Sequence, residues 1–184
     1  MAEPLARGGA RVVGIDLSRG ALKAGRAHAG GCGLELQYAL ARSEDLPFED
    51  ETFDLVIAFD VLEHVASLQK TIQEVSRVLC PGGRLVYDTM NQTLLCLIMV
   101  IWIGENLWKG GPPRGTHHWS KLVRPEKLVT LLSENGIRNM ETRGFVPKGI
   151  DRKGRLQMGF SRFKGLSYVG YGIKQGGPPA DRAD

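Results

Sequence analysis

Phe53-Asp-Leu-Val-Ile-Ala-Phe-Asp-Val-Leu-Glu-His64 is the stretch whose reading settles the rest of the chain. Leu55 to Phe59 is a short apolar run, the pattern of a strand buried on both faces. It ends abruptly in Asp60, and Glu63 and His64 follow. In an open α/β sheet, ligands bind beyond the carboxyl ends of the strands, so charge placed there is placed at a site. A helical turn opening at Val61 would set Asp60, Glu63 and His64 at i, i+3 and i+4, on one face. Two carboxylates and an imidazole then converge where a core strand meets solvent.

Upstream, Arg11 to Asp16 reads as a strand that also ends in an acid. Ser18 caps a helix running to about Ala29, which Gly30, Gly31 and Gly33 break. Leu34 to Leu40 is a second strand, and in the loop from Ser43 to Thr52 the apolar Leu46-Pro47-Phe48 turns inward. Downstream, Leu68, Ile72, Val75 and Leu79 recur at helical spacing and mark an amphipathic helix. Pro81-Gly82-Gly83 stops it, and Arg84 to Asp88 is the next strand. Strand and helix in this rhythm predict an α/β fold, a parallel sheet with helices on both faces.

Leu94 to Ile103 is ten apolar residues without a charge. That is too short to span a bilayer, so it is either a buried helix or an interfacial one. Trp102 and Trp108 suit a membrane interface and equally fill cores. Trp108 to Trp119 is a Gly/Pro-rich connection. Pro125 opens a helix through about Asn135 with Leu128, Leu131 and Leu132 inward, and Gly136 ends it. Ile137 to Phe145 and Leu166 to Lys174 pair as antiparallel strands. The tail from Gly176 to Asp184 has the composition of a disordered segment.

With 184 residues the chain is long enough for one domain with a substantial core. The net charge is +4, and Arg143 to Lys174 holds eight Lys or Arg against one acid, Asp151. This basic face suits an anionic membrane surface or is simply solvated. Nucleic-acid binding is not expected, because no aromatic platform is interleaved with the basic residues. Cys32, Cys80 and Cys96 are odd in number and lack metal-ligand spacing, so reduced thiols in a cytoplasmic or matrix-like compartment are expected. Met1 to Ala10 has no apolar core, so no signal peptide is expected there.

Val-Val-Gly-Ile-Asp-Leu-Ser at 12–18, Glu-Asp-Leu-Pro-Phe at 44–48, Phe-Asp-Leu-Val-Ile at 53–57, Leu-Glu-His-Val at 62–65 and Arg-Val-Leu-Cys-Pro-Gly-Gly at 77–83 follow one another in order. Together they resemble the successive motifs of class I S-adenosylmethionine-dependent methyltransferases. The stretch 113–126, Pro-Arg-Gly-Thr-His-His-Trp-Ser-Lys-Leu-Val-Arg-Pro-Glu, is similar to the lid and following helix of the ubiquinone-biosynthesis O-methyltransferases. The resemblance implies a Rossmann-like, mostly parallel sheet with an antiparallel C-terminal pair. It places a methyltransferase domain at 1–175, with 91–123 as a lid or membrane-facing insertion. The family opens with a strand and a Gly-rich turn that cradle the methionine part of the cofactor. Met1-Ala-Glu-Pro-Leu-Ala looks like the helix after that turn, so the domain is expected to be truncated at its N-terminus. The family also commonly shows His-Asp at the place of His117-His118, and an acid near the adenine where Arg42 stands.

The resemblance implies S-adenosylmethionine as cofactor. A strand-terminal carboxylate such as Asp16 accepts both ribose hydroxyls of an adenosyl group, with Leu17 beside it; the alternative is a cap on the next helix. Glu44, Asp45 and Leu46 border the adenine, chiefly through backbone. Phe59 touches the cofactor in the resembled family, or packs in the core. Asp60, Glu63 and His64 suit a hard ion such as Mg²⁺, as the family implies, or else Glu63 and His64 cap a helix and orient a loop. A divalent ion or a histidine base activates an acceptor hydroxyl, and the candidate bases are His117, from the lid motif, and His64. The function expected is O-methylation of a lipophilic catechol or quinone precursor. The partners expected are that small phenol, an anionic membrane met peripherally, and a quinone-biosynthesis protein complex. Two alternatives stand beside it: a carbon or nitrogen acceptor, or a non-catalytic fragment or pseudoenzyme.

Overall fold

The computed structural model describes residues 2–106, 113–151 and 156–176. The chain divides into two compact units, Met1–Pro47 and Phe48–Asp184. Residues 108–112 of the expected connection and 177–184 of the expected tail lie outside the described residues.

The first unit joins α1 (Ala2–Arg7), β1 (Val13–Asp16), α2 (Arg19–Gly31) and β2 (Gln37–Leu40). β1 and β2 pair in parallel, with Asp16 opposite Leu40 at their carboxyl ends. Ser18 caps α2 as expected, its Oγ accepting the Ala21 N–H at 3.1 Å. Gly30 and Gly31 remain inside the helix, which is a correction. The stop comes at Gly33, left-handed at φ +67°. Its N–H reaches the Gly30 carbonyl at 3.0 Å, and the Leu34 N–H reaches that of Ala29 at 3.0 Å. Those two bonds close the last turn. β2 is also shorter than expected, because Leu34 is used in closing that turn.

The second unit contains β3 (Phe53–Ala58), α3 (Leu68–Val78), β4 (Leu79–Met90), α4 (Leu94–Cys96), a π-helix (Leu97–Gly104), a 3₁₀ turn (Trp119–Lys121), α5 (Pro125–Glu134), β5 (Ile137–Ile150), β6 (Leu156–Ser161) and β7 (Ser167–Lys174). Its sheet has the order β3-β4-β7-β5-β6. β3 and β4 are parallel, while β7 runs antiparallel between β4 and β5, and β6 antiparallel on β5. The antiparallel pairing of Ile137 to Phe145 with the last strand is present, and β6 extends it.

β3 stands at an edge of this sheet, so it is not buried on both faces within its unit: Leu55 is exposed, and of the strand only Ala58 is buried. β4 begins earlier than expected, at Leu79, where α3 passes directly into strand. Pro81-Gly82-Gly83 forms a bulge, because Phe53 pairs with Leu79 but Leu55 with Arg84. Gly82 makes the excursion at φ +79°.

α3 packs on β4 and on α5, and α5 on β5. Ile72, Leu79, Leu85, Tyr87, Leu128, Leu132, Ile137 and Tyr168 are fully enclosed between them. The helical spacing of Leu68, Ile72, Val75 and Leu79 and the inward Leu128, Leu131 and Leu132 therefore make the core. The two buried tyrosines satisfy their hydroxyls, Tyr87 on Asn139 Oδ1 at 2.6 Å and Tyr168 on the Val123 carbonyl at 3.0 Å. Gly170 allows this, because a Cβ there would meet the Tyr87 ring and stand 2.6 Å from the Glu141 carbonyl. No helix among the described residues is long and apolar enough to cross a membrane.

Candidate active site

In the first unit, Asp16 ends β1 and is exposed. Its Oδ1 accepts the Ser18 N–H at 2.7 Å, so one carboxylate oxygen helps set the turn into α2. Leu17, Leu40, Ala41, Arg42, Asp45 and Pro47 line an open cleft of about 390 Å³ beyond the paired strand ends. Leu17 leaves 65 % of its surface exposed there, apolar area that a planar ring would cover. Glu44 is turned elsewhere, toward Arg42 Nε at 3.8 Å and Ser43 Oγ at 3.3 Å. Leu46 is buried, so its side chain is a packing group. Arg42, expected to matter only as a departure from an acid, is itself part of the cleft wall.

In the second unit the charge after β3 is gathered, but not by a helix. Asp60 is left-handed at φ +52°, a conformation Asp tolerates better than most residues. It breaks the strand, and the His64 N–H closes a single turn on the Val61 carbonyl at 2.9 Å. α3 starts only at Leu68, with the Ser67 Oγ accepting the Lys70 N–H. The expected helical turn at Val61 is thus corrected to a turn over Leu62–His64, and the spacing i, i+3, i+4 serves both geometries.

The neighbouring strand completes the cluster, because β3 runs parallel to β4 and its last pair, Ala58 with Tyr87, sets Asp88 of β4 beside the residues that follow β3. Asp88 Oδ1 accepts the Asp60 N–H at 2.7 Å. Burial pushes the Asp88 carboxyl up to about 6; the Asp60 N–H opposes the rise, and the Asp60 and Glu63 carboxylates add to it. Glu63 is buried at 2 % exposure, with Oε2 accepting from Thr89 Oγ1 at 2.8 Å. Its Oε1 is buried and has no hydrogen-bond partner among the described residues. Burial raises the Glu63 pKa; its own backbone N–H, the Thr89 bond and His117 oppose the rise, and Asp60 adds to it. Phe59 is half-buried at the strand end. His64 is exposed, its pKa lowered by partial burial and by His117, with Lys121 and His118 adding to this and Asp60 opposing.

His117 stands over this cluster, its ring 5.4 Å from that of His64. It is buried, and the residue that holds it is one the sequence did not reveal, Glu105. Glu105 Oε1 accepts both the His117 backbone N–H at 2.9 Å and His117 Nδ1 at 2.8 Å, and Oε2 accepts the Gly115 N–H at 2.7 Å. Burial would raise the Glu105 pKa, but the ring and backbone donors outweigh it and the net shift is downward. An ionised carboxylate only accepts, so Nδ1 carries the proton and Nε2 of a neutral His117 holds the lone pair. The pair is a carboxylate-oriented imidazole, the arrangement of a general base. Lys121 Nζ reaches the His64 carbonyl at 3.4 Å, tying the 3₁₀ turn to the cluster.

Two expectations about ligation and thiols bear on this. The donor atoms of Asp60, Glu63 and His64 do not all lie within 4.8 Å of one another; among the described residues that holds for Glu3, His28 and Cys32. Cys96 is buried and its thiol is pushed up to about 11 by burial and by Glu63, so it packs as an apolar group.

Comparison with known proteins gives three further findings. The family described as "Methyltransferase domain" matches residues 1–87. Proteins named ubiquinone biosynthesis O-methyltransferase are similar over most of the chain. The one from Ruegeria pomeroyi is 38 % identical over 146 residues, covering 79 % of this chain and 58 % of its own. The one from Roseobacter denitrificans is 35 % identical over 174 residues, covering 95 % of this chain and 68 % of its own. The chain therefore spans about three-fifths to two-thirds of the length of these relatives. A solved S-adenosylmethionine-dependent methyltransferase from Methanosarcina mazei superposes with a TM-score of 0.69 at 22 % identity, over 95 % of this chain and 87 % of that one.

Proposed function

The chain belongs to the ubiquinone-biosynthesis O-methyltransferase family of class I methyltransferases, and from that we propose that it moves a methyl group from S-adenosylmethionine to a hydroxyl of a lipophilic catechol or quinone precursor. The observation that carries the reading is the buried Glu105–His117 pair beside the Glu63 carboxylate. A hydroxyl is a poor nucleophile until its proton is removed, and an oriented imidazole is the group that removes it.

In this reading Asp16 holds the ribose hydroxyls, and the cleft at Leu17, Asp45 and Arg42 takes the adenine face. Bound S-adenosylmethionine supplies a sulfonium-activated methyl group. His117 Nε2 accepts the hydroxyl proton as the oxygen attacks. Glu105, already accepting Nδ1–H, stabilises the imidazolium that forms. In-line displacement needs the acceptor oriented, and on that side Glu105 fixes the His117 ring and backbone together.

Asp60, Glu63 and His64 would hold a divalent ion such as Mg²⁺ once the exposed Asp60 and His64 side chains turn toward Glu63, since their donor atoms do not all lie within 4.8 Å of one another as they stand. The buried Glu63 Oε1, without a partner among the described residues, supports this, since such an oxygen is costly without a proton, a donor or a cation. The ion would lower the acceptor pKa and orient its oxygens. The exposed apolar face of the segment after β4, with Leu94, Leu95, Ile98, Met99 and Trp102 all exposed, supports peripheral contact with a membrane, where a lipophilic substrate resides. One kinetic experiment tests the catalytic part. His117→Ala is expected to lower kcat by roughly 10²–10⁴, and chelation to abolish turnover that Mg²⁺ restores. Unchanged kcat in the variant removes His117 from the reaction, and full turnover in chelator removes the ion.

A further inference from the structure

We propose that Glu3, His28 and Cys32 form a second ion site, in the first unit, for a borderline-soft divalent cation of the zinc type. One carboxylate oxygen, one imidazole nitrogen and the thiol sulfur lie within 4.8 Å of one another. His28 is in the last turn of α2 and Cys32 is its C-cap residue, four positions on, so both project from the same face of the helix end. Glu3 comes from the first turn of α1. The site thus bridges two helices that are distant in sequence.

The donor set selects the metal. Thiolate with imidazole favours Zn²⁺ over Mg²⁺ or Ca²⁺, which take oxygen. The carbonyls at the C-terminal end of α2 add a negative dipole end, which favours a cation. Tetrahedral zinc with Zn–N and Zn–O near 2.0–2.2 Å and Zn–S near 2.3 Å places ligand atoms about 3.3–3.6 Å apart. Glu3 Oε1 now bonds His28 Nδ1 directly at 2.5 Å. Entry of the ion opens that bond by roughly 1 Å and draws the sulfur in. The exposed side chains of His28 and Cys32 can move that far. Glu3 Oε2 is 4.0 Å from Arg7, so ligation by Oε1 leaves that pair in place. The Cys32 thiol proton, and any proton on the ligating nitrogen, leave to solvent on binding. Water completes the fourth position. The competing reading is an ordinary Glu3–His28 ion pair with a thiol nearby.

Cobalt is the probe, because a thiolate bound to Co²⁺ gives a charge-transfer band that zinc lacks. The full chain, reduced and stripped with chelator, is titrated with Co²⁺ and then with Zn²⁺. One equivalent of Co²⁺ should produce the band, and one equivalent of Zn²⁺ should remove it. Cys32→Ser should abolish the band, and His28→Ala and Glu3→Gln should each weaken Co²⁺ binding at least tenfold, with far-UV dichroism unchanged. No band in excess Co²⁺, a band that survives Cys32→Ser, or unchanged affinity in either other variant overturns the proposal.

Discussion

Glu105 accepts three hydrogen bonds in a buried place, two from backbone N–H groups and one from an imidazole. An amide cannot do the same, because one of its two ends would present a donor to a donor. Glu105→Gln should therefore lose about 1–3 kcal/mol of stability in urea unfolding. It should also lower kcat more than it changes KM, since in the proposed mechanism its role is felt when His117 takes the proton. A variant as stable as the wild type would mean that this network is not formed. Asp88 gives a pH signature of the opposite kind. Its folded pKa of about 6 is above the ordinary carboxylate value, so the stability linked to its neutral form is full below about pH 4 and is lost as pH rises through 6. Asp88→Asn keeps an acceptor for the Asp60 N–H and removes the charge. The variant should exceed the wild type in urea midpoint at pH 7.5, and the difference should shrink toward pH 4. A wild type more stable at pH 7.5 would show that the Asp88 charge is balanced by a cation.

At the scale of elements, the segment from Leu94 to Gly104 is the least ordinary piece: a single α-turn followed by a π-helix whose outward residues are large and apolar. Cys96 and Gly104 are buried, while Ile98 and Trp102 leave 50 % and 61 % of their surface exposed. Ile98→Glu with Trp102→Glu should therefore leave folding intact and abolish flotation with anionic liposomes, and salt should weaken the wild-type binding. Loss of the fold in the double variant would make the segment core. The elements that sequence made legible are those fixed by periodicity and caps. Ser18, the α3 stripe and Pro125 with Gly136 are local signals, and local geometry obeyed them. The turn at Asp60 was not legible, because a left-handed residue is a matter of backbone and three polar side chains at i, i+3 and i+4 fit a turn as well as a helix. Glu105 escaped for another reason. Its partner is twelve residues away across a loop, and no spacing rule links a carboxylate after an apolar run to a lid histidine. Glu3 and Cys32 escaped likewise, since α1 meets the end of α2 only in three dimensions.

At the scale of the whole molecule, the two parallel pairs, β1 with β2 and β3 with β4, each set an acid at or just past the end of a strand: Asp16 ends β1, and Asp60 follows β3 beside Asp88 of β4. In the proposed reading the acid of the first unit serves the adenosyl group and those of the second serve the acceptor. The net charge of +4, with its basic excess after Arg143, is compatible with the proposed anionic surface and equally with a solvated face. The central claim is transfer to oxygen. The direct test is incubation of the protein with methyl-labelled S-adenosylmethionine, Mg²⁺ and a prenylated catechol, followed by mass spectrometry and NMR of the product. A labelled mono-O-methyl ether, absent in His117→Ala, is the predicted result; label on carbon or nitrogen, or no labelled product, would contradict it.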